Sequence, residues 1–153
     1  MNAVSTALPP RDVVAALLAA ASKARARAYA PYSKYRVGAA LLTREGHLYA
    51  GANVENATFG ATLCAERAAI AAMVAAGDRL PVACLVVTAG PRPGSPCGIC
   101  RQVLVEFAQD MPILLRAEDQ NGRVIARRTT RLQALLPDAF ALAAKIGDKP
   151  AHR

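Results

Sequence analysis

The sequence predicts an α/β fold, a three-layer α/β/α sandwich with a mixed central sheet. Helix-like and strand-like segments alternate along the chain in the order helix, hairpin, helix, strand, helix, strands. One of these segments is apolar throughout, which is typical of a central strand buried on both faces. The chain has 153 residues, 54% of them apolar, and this size suits one domain with one core. We therefore expect a single domain over residues 1–153, with flexible ends up to about residue 10 and after about residue 144.

The first half of the chain predicts a helix, a hairpin and a second helix. Asp12 is a plausible N-cap of the first helix, and Pro31 is the residue expected to end it. Arg44-Glu45-Gly46 separates two strand-like runs and predicts a hairpin turn. Gly77 closes the second helix. The predicted segments are a helix over Asp12–Ala28, strands over Arg36–Thr43 and His47–Asn53, and a helix over Cys64–Ala76.

The second half predicts a buried strand, a helix and a second pair of strands. Pro91 to Pro96 is a loop rich in proline and glycine between the buried strand and the helix. Asn121-Gly122 is a turn signal between the last two strands. The predicted segments are a strand over Val82–Thr88, a helix over Gly98–Phe107, strands over Pro112–Ala117 and Val124–Thr129, and a short helix over Arg131–Leu136 before a tail from Pro137.

Composition excludes several classes of partner. The net charge is +8, from 19 Lys and Arg against 11 Asp and Glu, which could attract nucleic acid. The basic residues are scattered except for Arg123, Arg127, Arg128 and Arg131, and no aromatic residues lie between those four as a surface for stacking bases. No apolar run reaches the roughly 18 residues that span a bilayer, and the N-terminus lacks the features of a signal peptide. We expect a cytoplasmic protein that binds neither membrane nor nucleic acid.

Three cysteines and a glutamate form the most informative pattern. Cys64-Ala65-Glu66 enters one predicted helix, and Pro96-Cys97-Gly98-Ile99-Cys100 enters the next. Three thiolate ligands suit Zn²⁺ and leave its fourth position open for water, as in catalytic sites. Glu66 is then the acid–base group beside that position. The pattern resembles the three-cysteine form of the signature of zinc-dependent nucleobase deaminases.

Arg67 is expected to tune the metal site. Three thiolates give the zinc cluster a formal charge of −1, which should hinder the activation of water. Two helix N-termini aimed at the sulfurs offset part of that charge. Arg67 lies three residues after Cys64, on the same side of the helix, so its hydrogen bonds to thiolate would withdraw electron density from sulfur.

Three other uses of the cysteines remain open at this point. Four cysteines permit disulfides in a secreted protein, and a Cys-x-x-Cys pair can be redox-active. However, a thioredoxin-like pair is expected early, after the first strand, whereas Cys97 and Cys100 lie late in the chain. A structural zinc site would need a fourth ligand from Cys84, His47 or His152.

The chain is similar to the small homotetrameric cytidine deaminases over most of its length, from about Tyr32 to Phe140. The matching blocks are Tyr32-Ser33-Lys34-Tyr35-Arg36-Val37-Gly38-Ala39-Ala40, Asn53-Val54-Glu55-Asn56-Ala57, Cys64-Ala65-Glu66-Arg67, Pro96-Cys97-Gly98-Ile99-Cys100-Arg101-Gln102-Val103-Leu104, and Leu135-Leu136-Pro137 with Phe140. The resemblance implies the cytidine deaminase fold and one zinc ion per subunit. It also implies hydrolysis of cytidine and 2′-deoxycytidine to uridine and 2′-deoxyuridine in pyrimidine salvage.

Roles for individual residues follow from this resemblance. It implies that Cys64, Cys97 and Cys100 bind zinc and that Glu66 carries protons between the attacking water, ring N3 and the departing ammonia. Asn53 and Glu55 would bind the ribose hydroxyls, the backbone N–H of Ala65 the pyrimidine O2, and Ser95 would lie near the amino group. Tyr35 stands where the family usually has Phe, beside the nucleoside.

The resemblance also implies a homotetramer whose subunits complete one another's sites. Phe59 and Phe140 correspond to residues that the family contributes across subunit boundaries, with Phe140 stacking on the base in a neighbouring site. The abundance of alanine leaves apolar faces that fit such an assembly.

Three alternative functions are weighed against this one. A blasticidin S-type deaminase shares the fold and metal, but the segment from Asn53 to Ala57 favours an ordinary cytosine nucleoside. A nucleic-acid cytosine or adenine deaminase commonly has histidine as its first ligand, whereas this chain has Cys64, and Glu55 would repel a 3′ phosphate. A non-catalytic zinc protein would not need Glu66 beside an open ligand position.

Overall fold

The computed structural model describes residues 7–141. Pro10 fixes the backbone before the first helix, and single glycines in positive-φ turns, such as Gly46 and Gly122, connect strands. The helices are α1 (Arg11–Ala26), α2 (Ala65–Ala75), α3 (Gly98–Phe107) and α4 (Leu132–Leu135), with one 3₁₀ turn at Phe59–Ala61, and the strands are β1 (Gly38–Thr43), β2 (Leu48–Ala52), β3 (Pro81–Ala89), β4 (Pro112–Glu118) and β5 (Val124–Arg131).

The five strands form one mixed sheet in the order β2-β1-β3-β4-β5. β3 and β4 are parallel, and the other neighbouring strands are antiparallel. The parallel pair is linked through α3, as a parallel connection requires a crossover. β3 lies at the centre of the sheet, as its continuous apolar sequence predicts.

Side-chain alternation on the central strands creates two cores. Cys84 and Val86 of β3 pack with α2 and α3, whereas Leu85 and Val87 pack with α1 on the opposite face. The same alternation continues on β1 and β4, because successive residues of a strand point to opposite sides of the sheet. The result is a three-layer α/β/α sandwich with a mixed sheet, which confirms the predicted fold class.

Some boundaries differ from the sequence prediction. Pro10 precedes α1, and Asp12 lies within the first turn, so Asp12 is not the N-cap. The helix ends at Ala26, well before Pro31, because the backbone of Tyr29 pairs with the segment around Val54 instead of continuing the helix. The 3₁₀ turn at Phe59–Ala61 was not predicted.

The other predicted elements are present with ends that differ by at most two residues. The domain assignment over residues 1–153 stays a prediction, because residues 1–6 and 142–153 lie outside the described residues. The expected flexibility of the two ends falls largely on those segments.

Two glycines permit the helices to lie directly on the sheet. A Cβ on Gly51 of β2 would lie 2.4 Å from the backbone nitrogen of Ala69 and 2.5 Å from the carbonyl oxygen of Ala65 in α2. A Cβ on Gly38 would similarly lie 2.0 Å from the carbonyl oxygen of Ala21 in α1. These contacts are with backbone atoms, which cannot move aside as a flexible side chain can.

The Gly51→Ala variant should be destabilised by about 2 kcal/mol, because the added methyl group overpacks the α2–β2 contact. For a chain of this size we expect Tm to fall by about 4–8 °C, measured by calorimetry. Gly60→Ala is the matched control, since a Cβ at Gly60 has no atom within 4 Å and should leave Tm almost unchanged. Equal Tm values for wild type and Gly51→Ala would contradict the steric argument.

Candidate metal centre and active site

Three thiols converge where the N-termini of α2 and α3 meet. Cys64 is the N-cap of α2 and Cys97 the N-cap of α3, both with extended backbone, and Cys100 is the third residue of α3. The three sulfur atoms lie within 4.8 Å of one another. Cys64 Sγ and Cys97 Sγ are 3.8 Å apart. The predicted position of both metal-binding segments at helix N-termini is therefore confirmed.

The thiol cluster fits a zinc ion. In a tetrahedral site with Zn–S bonds of about 2.3 Å, two sulfurs lie about 3.8 Å apart, which is the separation of Cys64 Sγ and Cys97 Sγ. The three residues offer only soft donors, as zinc accepts readily. They are free thiols rather than a disulfide.

The cluster already favours one thiolate before a metal binds. A hydrogen bond from Cys100, followed by contacts with Arg67 and Cys97, lowers the pKa of Cys64 to about 5 despite its partial burial. The same bond raises the pKa of Cys100, which thus keeps its proton. Binding of a metal would displace the remaining protons, so formation of the site is coupled to proton release.

Arg67 contacts the cluster from the side of α2. Its Nη2 donates to the carbonyl oxygen of Thr62 at 2.6 Å and lies 3.8 Å from Cys64 Sγ. Contact with Cys64 is the main reason that the pKa of Arg67 is raised. The contact expected from the i, i+3 spacing is therefore present, whereas the tuning role of Arg67 stays a prediction.

Glu66 is a buried carboxyl group beside the thiols. Glu66 is only 4% exposed, and Cys100 Sγ lies 3.5 Å from its Oε2. Burial raises the pKa of this carboxyl group above its usual value. Cys64 and Glu66 reach one site although they are two residues apart, because Cys64 lies just outside α2 and Glu66 in its first turn.

A cavity of about 170 Å³ opens beside the thiols and Glu66. Four of the predicted substrate-binding residues line it, namely Tyr35, Asn53, Ala65 and Ser95. Four further lining residues were not predicted, namely Val37, Thr62, Val86 and Thr88. Val86 and Thr88 follow Cys84 on β3 at intervals of two residues, so the two-residue period of a strand places all three on the same face of the sheet. The sequence carries no signal that selects the cavity end of that strand.

Glu55, Phe59 and Phe140 do not line this cavity. Glu55 accepts hydrogen bonds from the segment Tyr32-Ser33, and the Ser33 hydroxyl is the main cause of the lowered pKa of its carboxyl group. Phe59 is 74% exposed and meets Tyr32 edge-on. Phe140 is 71% exposed. Within one chain, the structure does not bring these two aromatic rings to the site.

Arg101 and Gln102 brace the site, although sequence reasoning gave them no individual role. Arg101 Nε donates to the carbonyl oxygen of Pro96 at 2.8 Å, and its Nη1 donates to that of Leu135 at 2.9 Å. The Gln102 amide both donates to the carbonyl oxygen of Phe140 and accepts its backbone N–H. The C-terminal segment and the loop before Cys97 are thereby tied to α3.

The ligands that a closed structural zinc site would need are placed elsewhere. Cys84 is fully buried in the core, and burial raises the pKa of its thiol. His47 lies at the hairpin end of β2, where its Nδ1 is 3.1 Å from an oxygen of Asp78. His152 lies outside the described residues. Among residues 7–141, the only group of three or more His, Cys, Asp or Glu side chains placed to hold one metal ion is Cys64, Cys97 and Cys100.

Comparisons with known proteins agree on one family. Residues 12–115 match the family model described as "Cytidine and deoxycytidylate deaminase zinc-binding region". The cytidine deaminase of Sporosarcina psychrophila is 44% identical over 126 residues, covering 82% of this chain and 89% of that protein. The cytidine deaminase of Mycobacterium tuberculosis H37Rv is 40% identical over 127 residues, covering 80% and 85%.

A solved structure shows the same relationship. The crystal structure of cytidine deaminase from Burkholderia pseudomallei has a TM-score of 0.73 and 45% identity, and the match covers 82% of this chain and 98% of that one. In the part of this chain that the structure describes, no helix is long and apolar enough to cross a membrane.

Zinc content should depend on the three clustered thiols and not on the fourth cysteine. We expect about one zinc ion per chain in the wild type, and near zero in Cys64→Ala, Cys97→Ala and Cys100→Ala, because two remaining thiolates hold the ion too weakly. Cys84→Ala is the matched control and should keep its zinc. Elemental analysis of the purified proteins measures the zinc content. Loss of zinc from Cys84→Ala, with zinc retained in the other three variants, would contradict the assignment.

Proposed function

The chain belongs to the cytidine and deoxycytidylate deaminase family and is a zinc-dependent cytidine deaminase. We propose that Glu66 carries the protons of the reaction and that 2′-deoxycytidine is a second substrate. The observation that supports this most directly is the buried carboxyl group of Glu66 beside three thiols at one cavity. The same carboxyl group on an exposed surface would lack both the metal site and the raised pKa.

The reaction replaces an amino group by oxygen: cytidine and water give uridine and ammonia. Bound to Cys64, Cys97 and Cys100, zinc supplies the Lewis acidity that makes water nucleophilic near neutral pH. Glu66 takes a proton from the water that attacks C4 and gives it to ring N3. As the C4–N bond breaks, Glu66 takes the remaining proton from the hydroxyl group on C4 and transfers it to the departing amino group, which leaves as ammonia while C4 becomes a carbonyl carbon. Burial of Glu66 suits this role, because its raised pKa lets it hold a proton between transfers.

The rest of the chain binds and orients the nucleoside. In this proposal the backbone N–H of Ala65, in the first turn of α2, donates to the pyrimidine O2, and Ser95 lies near the amino group. Asn53 and Glu55 bind the ribose hydroxyls, and Tyr35 packs beside the sugar and base. Arg67 withdraws electron density from Cys64, as its position 3.8 Å from that sulfur supports.

The cavity supports a free nucleoside rather than a nucleic acid. Its small volume of about 170 Å³ suits a single base and part of its sugar. The Glu55 carboxylate, whose pKa is lowered, would repel a 3′ phosphate. We place the protein in the cytoplasm, acting in pyrimidine salvage, because none of its four cysteines forms a disulfide, as is usual in a reducing compartment.

Zinc-loaded wild type should convert cytidine to uridine and ammonia, whereas Glu66→Gln should lose at least about 10²-fold in kcat, because an amide cannot carry the proton. Zinc analysis of the variant controls for loss of the metal site. Uridine formation followed by absorbance and ammonia release measures the rate. Full activity of zinc-loaded Glu66→Gln would refute the role of Glu66. If the wild type deaminated blasticidin S and not cytidine, that result would favour the alternative nucleoside as the substrate.

We further propose that the active form is a homotetramer in which Phe140 of one subunit reaches the site of another. Phe140 is 71% exposed, yet the Gln102 amide holds its backbone through two hydrogen bonds. A fixed backbone beneath an exposed aromatic ring is suited to contact with a second protein surface. Phe59 is similarly exposed and is assigned the same type of contact.

Co-expression of Glu66→Gln with Phe140→Ala should restore activity that neither variant has alone. A site with Glu66 from one subunit and Phe140 from its neighbour is then complete in mixed oligomers. The variant Glu66→Gln combined with Phe140→Ala in one chain, co-expressed with Glu66→Gln, is the inactive control. Light scattering should report four chains. Full activity of Phe140→Ala by itself would argue against a shared site.

A further inference from the structure

Residues 32–35 form a turn that contacts two of the residues proposed to bind the sugar. The backbone N–H groups of Tyr32 and Ser33 donate to Glu55 Oε2 at 2.8 and 3.3 Å. Ser33 Oγ donates to Glu55 Oε1. Lys34 follows with φ of +58°, a left-handed conformation that non-glycine residues rarely adopt. This backbone turns the chain so that Tyr35 reaches the cavity wall.

The Ser33 hydroxyl has a fixed direction. Its oxygen accepts the backbone N–H of Tyr35 at 3.0 Å. Because one lone pair of the Ser33 oxygen accepts this N–H, the hydroxyl hydrogen points to Glu55 Oε1. Ser33 thus connects the backbone of one cavity residue with the carboxylate of Glu55.

A count of the hydrogen-bonding capacity shows what is left for a ligand. A carboxylate offers about four acceptor positions, and the turn uses three of those on Glu55. Asn53 donates one amide hydrogen to the carbonyl oxygen of Tyr35 and accepts the N–H of Val37, both at 2.9 Å. One acceptor position remains on Glu55, and Asn53 keeps one donor and a second lone pair on its amide oxygen. The free acceptor of Glu55 and the free donor of Asn53 form a pair. This pair complements two neighbouring hydroxyl groups, one that donates and one that accepts.

We propose that Ser33 is a positioning residue for the nucleoside sugar, which acts by orienting the Glu55 carboxylate so that its remaining acceptor position faces a sugar hydroxyl. The inference rests on the proposed function, since it assigns a task within the same site. Ser33 does not line the cavity beside Glu66 and the thiols. Its loss should therefore weaken sugar binding and leave the chemical step and the metal site intact.

The test compares Ser33→Ala with Ser33→Thr, which keeps the hydroxyl at an exposed position. For Ser33→Ala we expect KM for cytidine to rise about tenfold, as loss of one hydrogen bond to a charged group implies, with kcat within about twofold of wild type. The inhibition constant of 2′,3′-dideoxycytidine, which lacks both hydroxyls, should not change. Ser33→Thr should restore KM, and zinc content should equal that of wild type in both variants.

A double-mutant cycle shows whether Ser33 acts through Glu55. In a Glu55→Ala background, Ser33→Ala should raise KM no further, because the carboxylate that it orients is absent. An unchanged KM in Ser33→Ala, an equal loss of affinity for dideoxycytidine, or an additional loss in the Glu55→Ala background would each overturn the inference while leaving the proposed function standing. Absence of uridine with the wild type itself would overturn both.

Discussion

The site depends on bringing the N-termini of α2 and α3 to one point beside the sheet. Three sulfurs within 4.8 Å of one another repel when ionised, and the partial positive charges of two helix ends, together with Arg67, oppose that repulsion. The position of α2 in turn depends on close backbone packing. Gly51 allows the backbone of α2 to lie directly against β2 at Ala65, the residue between Cys64 and Glu66, so this packing contact helps to set where both side chains lie.

Several side chains near the cavity form hydrogen bonds with the protein's own backbone. Asn53 is 8% exposed and bridges the backbone at Tyr35 and Val37, and Glu55 bonds the turn before them. Asn53, which was expected to contact only a sugar, thus also builds the wall of the cavity, and Glu55 holds the turn next to it. A carboxylate and an amide prearranged in this way lose less conformational entropy when a ligand binds than freely rotating groups would.

Exposed aromatic residues are also held in place by contacts within the chain. Tyr32 and Phe59 pack edge-on at the surface, and Phe140 is presented by a clamp from α3. Since Arg101 and Gln102 are adjacent on that helix, the segment after Leu135 and the loop carrying Ser95 are fixed to the helix that bears Cys97 and Cys100. Side-chain hydrogen bonds therefore link the segment that carries Phe140 to α3.

Local patterns in the sequence alone determined the element order, the buried strand β3, and the choice of the three cysteines and Glu66 that the structure brings together, because hydrophobic periodicity and residue spacing act over short stretches of chain. They did not determine the early end of α1, which reflects pairing of Tyr29 with Val54. The tertiary structure alone decided that Thr62 and Thr88 line the cavity, that Glu55 bonds Ser33, and that Gln102 holds Phe140. These contacts join residues distant along the chain, and no single segment carries the information that brings them together.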